Sequence, residues 1–252
     1  MDDHRRRGAT LRTISALQHA LVRRHALLPR PSRRLNGDRG AAAVEFALVS
    51  MLLFTLVFGI IEFSLVMRDK IAVTSAARDG GRTASAEPRA AGYNDPITGT
   101  GANITGLVPD AVKSVAASLT GIPKASIKGI WVYQAGANGQ PVGGNSLPTS
   151  ANPNGACNVN CVRYFYDPTR TWIDPSTGNK VVGGFSLIGG TWAASSINAC
   201  PGDPNGQYVG IYVQVLHNFI TGSFLTGGAT LNLSDTATFK FEPIPLVPGP
   251  CK

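Results

Sequence analysis

Residues 39–67 read RGAAAVEFALVSMLLFTLVFGIIEFSLVM, from Arg39 to Met67, and this stretch decides what kind of chain this is. It opens on small residues, Gly40-Ala41-Ala42-Ala43, meets a carboxylate at Glu45, and is almost wholly apolar over the 22 residues from Phe46 to Met67. At about 1.5 Å per residue, those positions form a helix of roughly 33 Å, enough to cross a ~30 Å hydrocarbon core. Helices of globular proteins average only about 11–12 residues, so a buried soluble helix explains the run poorly. A membrane span is expected.

The charge distribution sets its orientation. Residues 1–40 hold ten Arg, no Lys and three Asp, a net charge of +7, whereas residues 41–252 hold 13 basic and 12 acidic side chains. The basic pI therefore belongs to the leader, and a nucleic-acid partner is rejected: the arginines precede a span, where positive charge fixes a cytoplasmic flank and sends the body across the membrane. An ordinary secretory signal fits badly. The apolar segment exceeds an h-region, and the triplet Ala84-Ser85-Ala86 lies 17 residues beyond Met67. Neither Arg5-Arg6-Arg7 nor Arg23-Arg24 directly precedes the apolar run, so a twin-arginine signal is no better supported.

The residues just before the span suggest processing of another kind. Gly40 is followed by four residues and then Glu45-Phe46, with Arg39 upstream. This resembles the prepilin-peptidase site of type IV pilins, where cleavage after the Gly would make Ala41 the new N-terminus and Glu45 the fifth residue. A carboxylate at the bilayer edge is costly unless paired, and a neighbouring subunit's free α-amino group is a natural partner. Reading onward, Gly59-Ile60-Ile61-Glu62-Phe63 and Ala76-Ala77-Arg78-Asp79-Gly80-Gly81-Arg82 make residues 40–86 resemble the TadE-like family of Flp (tight adherence) pilus assembly. The 40-residue leader is long for a prepilin. The resemblance implies a pseudopilin or minor pilin, a structural part and not an enzyme. Its expected partners are a prepilin peptidase, other pilins, pilus-assembly membrane proteins and the lipid bilayer; no cofactor is implied.

Glu62 lies five residues, about 8 Å, inside the exit end of the span, so it is singled out as an intramembrane acid whose carboxylate reaches towards the interface. The helix is expected to continue to about Ala84, weakened at Gly80-Gly81 and ended by Pro88. The organisation expected is a basic cytoplasmic leader (1–40), the transmembrane helix and its extension (41–86), a linker (87–105), and an extracytoplasmic domain (106–252). Within that domain, Pro109 starts a short helix with Val108, Val112, Val115, Ala116 and Leu119 on one face, and Gly121 stops it. Strands are expected at 126–133, 162–166, 208–219 and 230–242, the third with Val209, Ile211, Val213 and Val215 alternating with Tyr208, Gly210, Tyr212 and Gln214. Residues 134–156, of which 15 of 23 are Gly, Asn, Pro, Ser or Thr, cannot fold by themselves. The fold class is α+β: a long helix, a short helix and an antiparallel sheet.

Four cysteines, Cys157, Cys161, Cys200 and Cys251, all follow the span and fit disulfides in an oxidising compartment. Sequence leaves three connectivities open; the pairing favoured is Cys161 with Cys200 and Cys157 with Cys251. Cys157-x3-Cys161 has metal-ligand spacing, but zinc needs a second pair or histidines, and His217 is the single histidine after residue 40. For catalysis the sequence offers no Gly-x-Ser-x-Gly, His-Glu-x-x-His or P-loop. His217 reads as a structural strand histidine, and Asp167 and Asp174 as turn formers. The competing reading is a membrane-anchored extracytoplasmic binding or enzymatic domain with no pilus role.

Overall fold

The computed structural model describes residues 37–86, 107–173, 180–200, 207–221 and 228–242. The leader up to residue 36, the linker (87–105) with residue 106, Asp174 and Cys251 lie outside them. The chain divides into two units, one ending at Leu53 and the other beginning at Phe54. The described part of the first is helical, and its Val44, Phe46, Leu48, Val49, Met51, Leu52 and Leu53 are all exposed.

One helix, α1, runs from Gly37 to Ala86. It contains no proline, and several of its hydroxyl side chains bond back to the turn before them. Ser64 Oγ donates to Ile60 O at 2.8 Å and Thr83 Oγ1 to Asp79 O at 3.0 Å, so these hydroxyls are satisfied within the helix by carbonyls one turn back. The expected end near Ala84 is met within two residues. Gly80-Gly81 do not break the helix, because both sit where a neighbouring element packs against it.

The second unit carries an antiparallel five-stranded sheet of order β3-β2-β1-β4-β5. Its strands are β1 (Ile127–Ala135), β2 (Cys161–Ile173), β3 (Lys180–Thr191), β4 (Tyr208–Asn218) and β5 (Thr230–Lys240). β1 lies in the middle, with Ile130 opposite Tyr164 of β2 and Val213 of β4. Two hairpins therefore flank one central strand. A second helix, α2 (Leu107–Ser118), buries Leu107, Val108, Ala111, Val112 and Val115, the helically spaced face the sequence predicts.

The alternation of β4 decides which side faces what. Val209, Ile211, Val213 and Val215 join Ile130, Val132 and Val162 in the main core, closed by Val73, Ala76 and Ala77 of α1 and by α2. Tyr212 turns to the opposite face and groups with Trp131, Tyr133, Ala135 and Cys161. There the Tyr212 ring meets Trp131 edge-on at 6.2 Å, and the Arg163 guanidinium lies 5.4 Å from the centre of the Trp131 ring. Gly210 makes room for Tyr133: a Cβ on it would fall 2.3 Å from Tyr133 Cζ.

Leu147 and Cys157, from the Gly- and Asn-rich segment before β2, cover this second face. That segment buries little of its own and is held by hydrogen bonds, with Ser146 and Ala156 exchanging a reciprocal pair at 2.8 Å and Asn145 Nδ2 donating to Val159 O at 2.8 Å. Gly155, at φ 58°, packs under Trp131, where a Cβ would approach Cη2 to 2.5 Å.

Two expectations need correction. Residues 180–191 were not among the expected strands, yet β3 is one. Its Gly183-Gly184 and Gly189-Gly190 hide any alternation, and backbone pairing with β2 supplies the order. Asp167 is no turn residue: it lies in β2, opposite Gly184 and next to a register shift.

Candidate functional site

The proposed processing residues, Gly40, Ala41, Glu45 and Phe46, all lie on α1 and all are exposed. A Cβ on Gly40 would have no neighbour within 4 Å, so nothing among the described residues requires glycine there. The same holds at Gly59, whereas at Gly80 and Gly81 the requirement is internal. A Cβ on Gly80 would lie 2.4 Å from Val115 Cγ2, and one on Gly81 2.3 Å from Phe239 Cδ2.

From Glu62 onward, α1 is fastened to the sheet by polar side chains on one side. Glu62 and Asp69 stand seven positions apart, two helical turns, and so share a face. Thr221, just past the end of β4, donates to Glu62 Oε1 through its backbone N at 2.5 Å and its Oγ1 at 2.9 Å. His217 Nδ1 lies 2.7 Å from Asp69 Oδ2, and its Nε2 lies 3.9 Å from Glu62 Oε2. All three side chains are buried, with the Phe219 ring edge-on to the imidazole at 5.3 Å. Arg68 closes the outer rim, 3.0 Å from Asp69 Oδ1.

Next to Asp69, Lys70 Nζ donates to Ser234 O at 2.7 Å and to Asp235 Oδ2 at 3.1 Å, and one turn further along Thr74 Oγ1 also donates to Asp235. Burial opposes the Asp235 charge, but the hydrogen bonds from Thr74, Lys70 and the Thr236 backbone outweigh it and hold the carboxyl below its ordinary range. Beyond the glycine contacts, Ser118 Oγ of α2 donates to Asp79 Oδ2 at 2.7 Å. Glu242 N closes the seam on Ser85 O at 3.0 Å.

The seam has the composition of an acid–base site without the architecture of one. Two carboxylates flank an imidazole, yet the imidazole is closed in by α1 and by Phe219. Among the described residues, no group of three metal-ligating side chains could hold a metal ion. What the arrangement can do is fix the helix against the sheet in register and rotation.

Sequence reasoning singled out Glu62 and His217 separately. It missed Asp69, which joins them. The signal was present: two acids at i and i+7 on an amphipathic helix, and one histidine at the end of the most regular strand.

The disulfides differ from the favoured pairing. Cys157 is bonded to Cys161, with their Cα atoms 5.3 Å apart, and not to Cys251. Asn160 in the left-handed region (φ 50°) turns the chain back within four residues, bringing the two close enough to bridge. Cys200 is also disulfide-bonded, to a partner outside the described residues.

Residues 40–82 match the family model described as TadE-like protein. No curated protein and no solved structure matches the chain. The matched segment contains the Gly40–Phe46 motif and the α1 side of the seam through Gly81, and none of the sheet.

Proposed function

We propose that this chain, TadE-like over residues 40–82, is a structural pseudopilin or minor pilin of a pilus-assembly system, anchored in the cytoplasmic membrane by α1. The observation that carries the reading is the division of labour along one helix. Its apolar residues before Glu62 are exposed, while Val73, Ala76 and Ala77 belong to the core of the α+β unit. An exposed apolar stretch of this length requires lipid or other apolar helices around it.

In this reading a prepilin peptidase cuts after Gly40, where the helix surface is open, and releases residues 1–40. The helix then inserts once, with its N-terminal end inside and the sheet outside, in the oxidising compartment where the disulfides form. Ala41 supplies a free amine, and Glu45 pairs with that amine on a neighbouring pilin. Without such a partner, a carboxylate buried among helices would be strongly unfavourable.

Intact-mass and N-terminal analysis of membrane-extracted protein tests the first step. The mature chain is expected to begin at Ala41, and Gly40→Arg to stay full length. Retention of Met1 in wild type with the peptidase present defeats the processing claim. Glu45→Gln is expected to be cut and inserted normally yet to abolish piliation, scored by microscopy of the same strain. Normal piliation would leave Glu45 a mere interfacial residue.

A further inference from the structure

We infer that the β4–β5 end of the sheet rests on the bilayer that holds α1, with Ile220 and Leu231 seated in the interfacial layer; the inference builds on the membrane anchor proposed above. Thr221 grips Glu62, and Glu62 is flanked on α1 by Ile60, Ile61 and Phe63, all exposed apolar residues. The sheet end is thereby held beside a helical turn whose outer surface is hydrocarbon. Ile220 is 66% exposed and Leu231, paired with His217 across the strands, is 39% exposed. Neither gains anything from water.

Charge supports lipid as the occupant. From Asn218 to Ser234 the sequence carries no charged residue. On β5 charge resumes at Asp235, on β1 at the exposed Lys128, and on the helix at Arg68, Asp69 and Lys70; Lys70 and Asp235 bind each other, and Lys128 lies within two register positions of Asp235, so these elements become charged at about one common level. Asp69 lies seven positions above Glu62, about 10 Å along the helix. That matches an apolar edge sunk about 5–10 Å beneath a charged rim, the depth at which interfacial elements sit. Arg68 at this rim is placed to meet lipid phosphates. Along the uncharged run from Asn218 to Ser234 a soluble acidic or basic partner would find nothing to pair with.

The test uses the full chain reconstituted into phosphatidylethanolamine–phosphatidylcholine vesicles, with flotation confirming anchorage. Ile220→Cys and Leu231→Cys, and Ala137→Cys beyond the other end of β1, each receive an environment-sensitive fluorophore under non-reducing conditions, where the disulfide-bonded cysteines do not react. Doxyl-labelled phosphatidylcholine should quench the label at 220 and 231, more by shallow than by deep doxyl groups, and leave the label at 137 unquenched. Flotation without quenching at 220 or 231 overturns the inference and leaves the anchor standing. Blue-shifted emission that ignores doxyl lipid means that a second copy or another protein covers the surface, which also overturns it. Failure to float removes the anchor itself, and the inference with it.

Discussion

Gly80 and Val115 meet so closely that a Cβ on the glycine would lie 2.4 Å from Val115 Cγ2, and α1 and α2 therefore touch with only hydrogen between them. Gly80→Ala is expected to destabilise the folded unit by about 1–3 kcal/mol, the usual cost of overpacking a filled core. Gly59→Ala, where a Cβ meets nothing within 4 Å, is the matched control and should leave the unit's melting unchanged. Thermal unfolding of both variants in detergent decides the matter. Equal midpoints for the two would show that α1 and α2 separate freely at Gly80.

Asp69 holds His217 Nδ1 at 2.7 Å in a buried setting. Asp69→Ala leaves that nitrogen without its acceptor, and the expected loss is roughly 1–3 kcal/mol, the cost of an unsatisfied buried polar group. Hydrogen exchange should show the loss first in the amides of β4 near His217 and in α1 around Lys70. Unchanged protection in both places would mean that the pair is incidental.

The Asp235 carboxyl is held below its ordinary range, so its contribution to stability has a definite sign. The contribution is fully present above the unfolded value of about 3.9 and is lost as pH falls through the lower folded value. Urea midpoints of wild type and Asp235→Asn should therefore differ most near neutrality and converge below about pH 4. A gap independent of pH would mean that the charge of Asp235 plays no part in holding α1.

Non-reducing digestion checks the disulfide assignment directly. Trypsin leaves Cys157 and Cys161 in a single peptide ending at Arg163, and that peptide should run two hydrogens lighter than its reduced form. Because the bridge closes so short a loop, replacing both cysteines by serine should cost about 2 kcal/mol at most in the chain-entropy account. A cross-linked peptide joining Cys161 to Cys200 would refute the short bridge.

The elements that sequence made legible are those whose side chains alone report their surroundings. β4 could be read from the alternation of Val209, Ile211, Val213 and Val215 with Tyr208 and Tyr212, because one face is aliphatic and the other aromatic. The buried face of α2 followed from Val108, Val112 and Val115. β3 was opaque for the opposite reason: its glycines contribute backbone alone, and a backbone partner cannot be read from its own residues. Gly80-Gly81 looked like a weakness in a helix because propensity is local, whereas their purpose lies in Val115 and Phe239, far along the chain. The Glu62–His217–Asp69 cluster was half visible, since sequence shows which residues can pair but not that a strand end will reach them. Spacing could not choose the disulfide, because the choice depended on one residue, Asn160, turning into the left-handed region.

The seam on α1 also fixes an order in time. Ribosomes make the helix first, yet its partners come last: 148 positions separate Asp69 from His217, and 165 separate Lys70 from Asp235. Closures this distant in sequence form late, because the intervening chain must be gathered before the contact can reward it. Until β4 and β5 arrive, Val73, Ala76 and Ala77 lack part of the core they belong to, on a helix that is already complete. The nascent molecule is thus most vulnerable to wrong association during this interval, and a factor that shielded residues 73–77 until the last hairpin arrived would protect it without touching the finished fold.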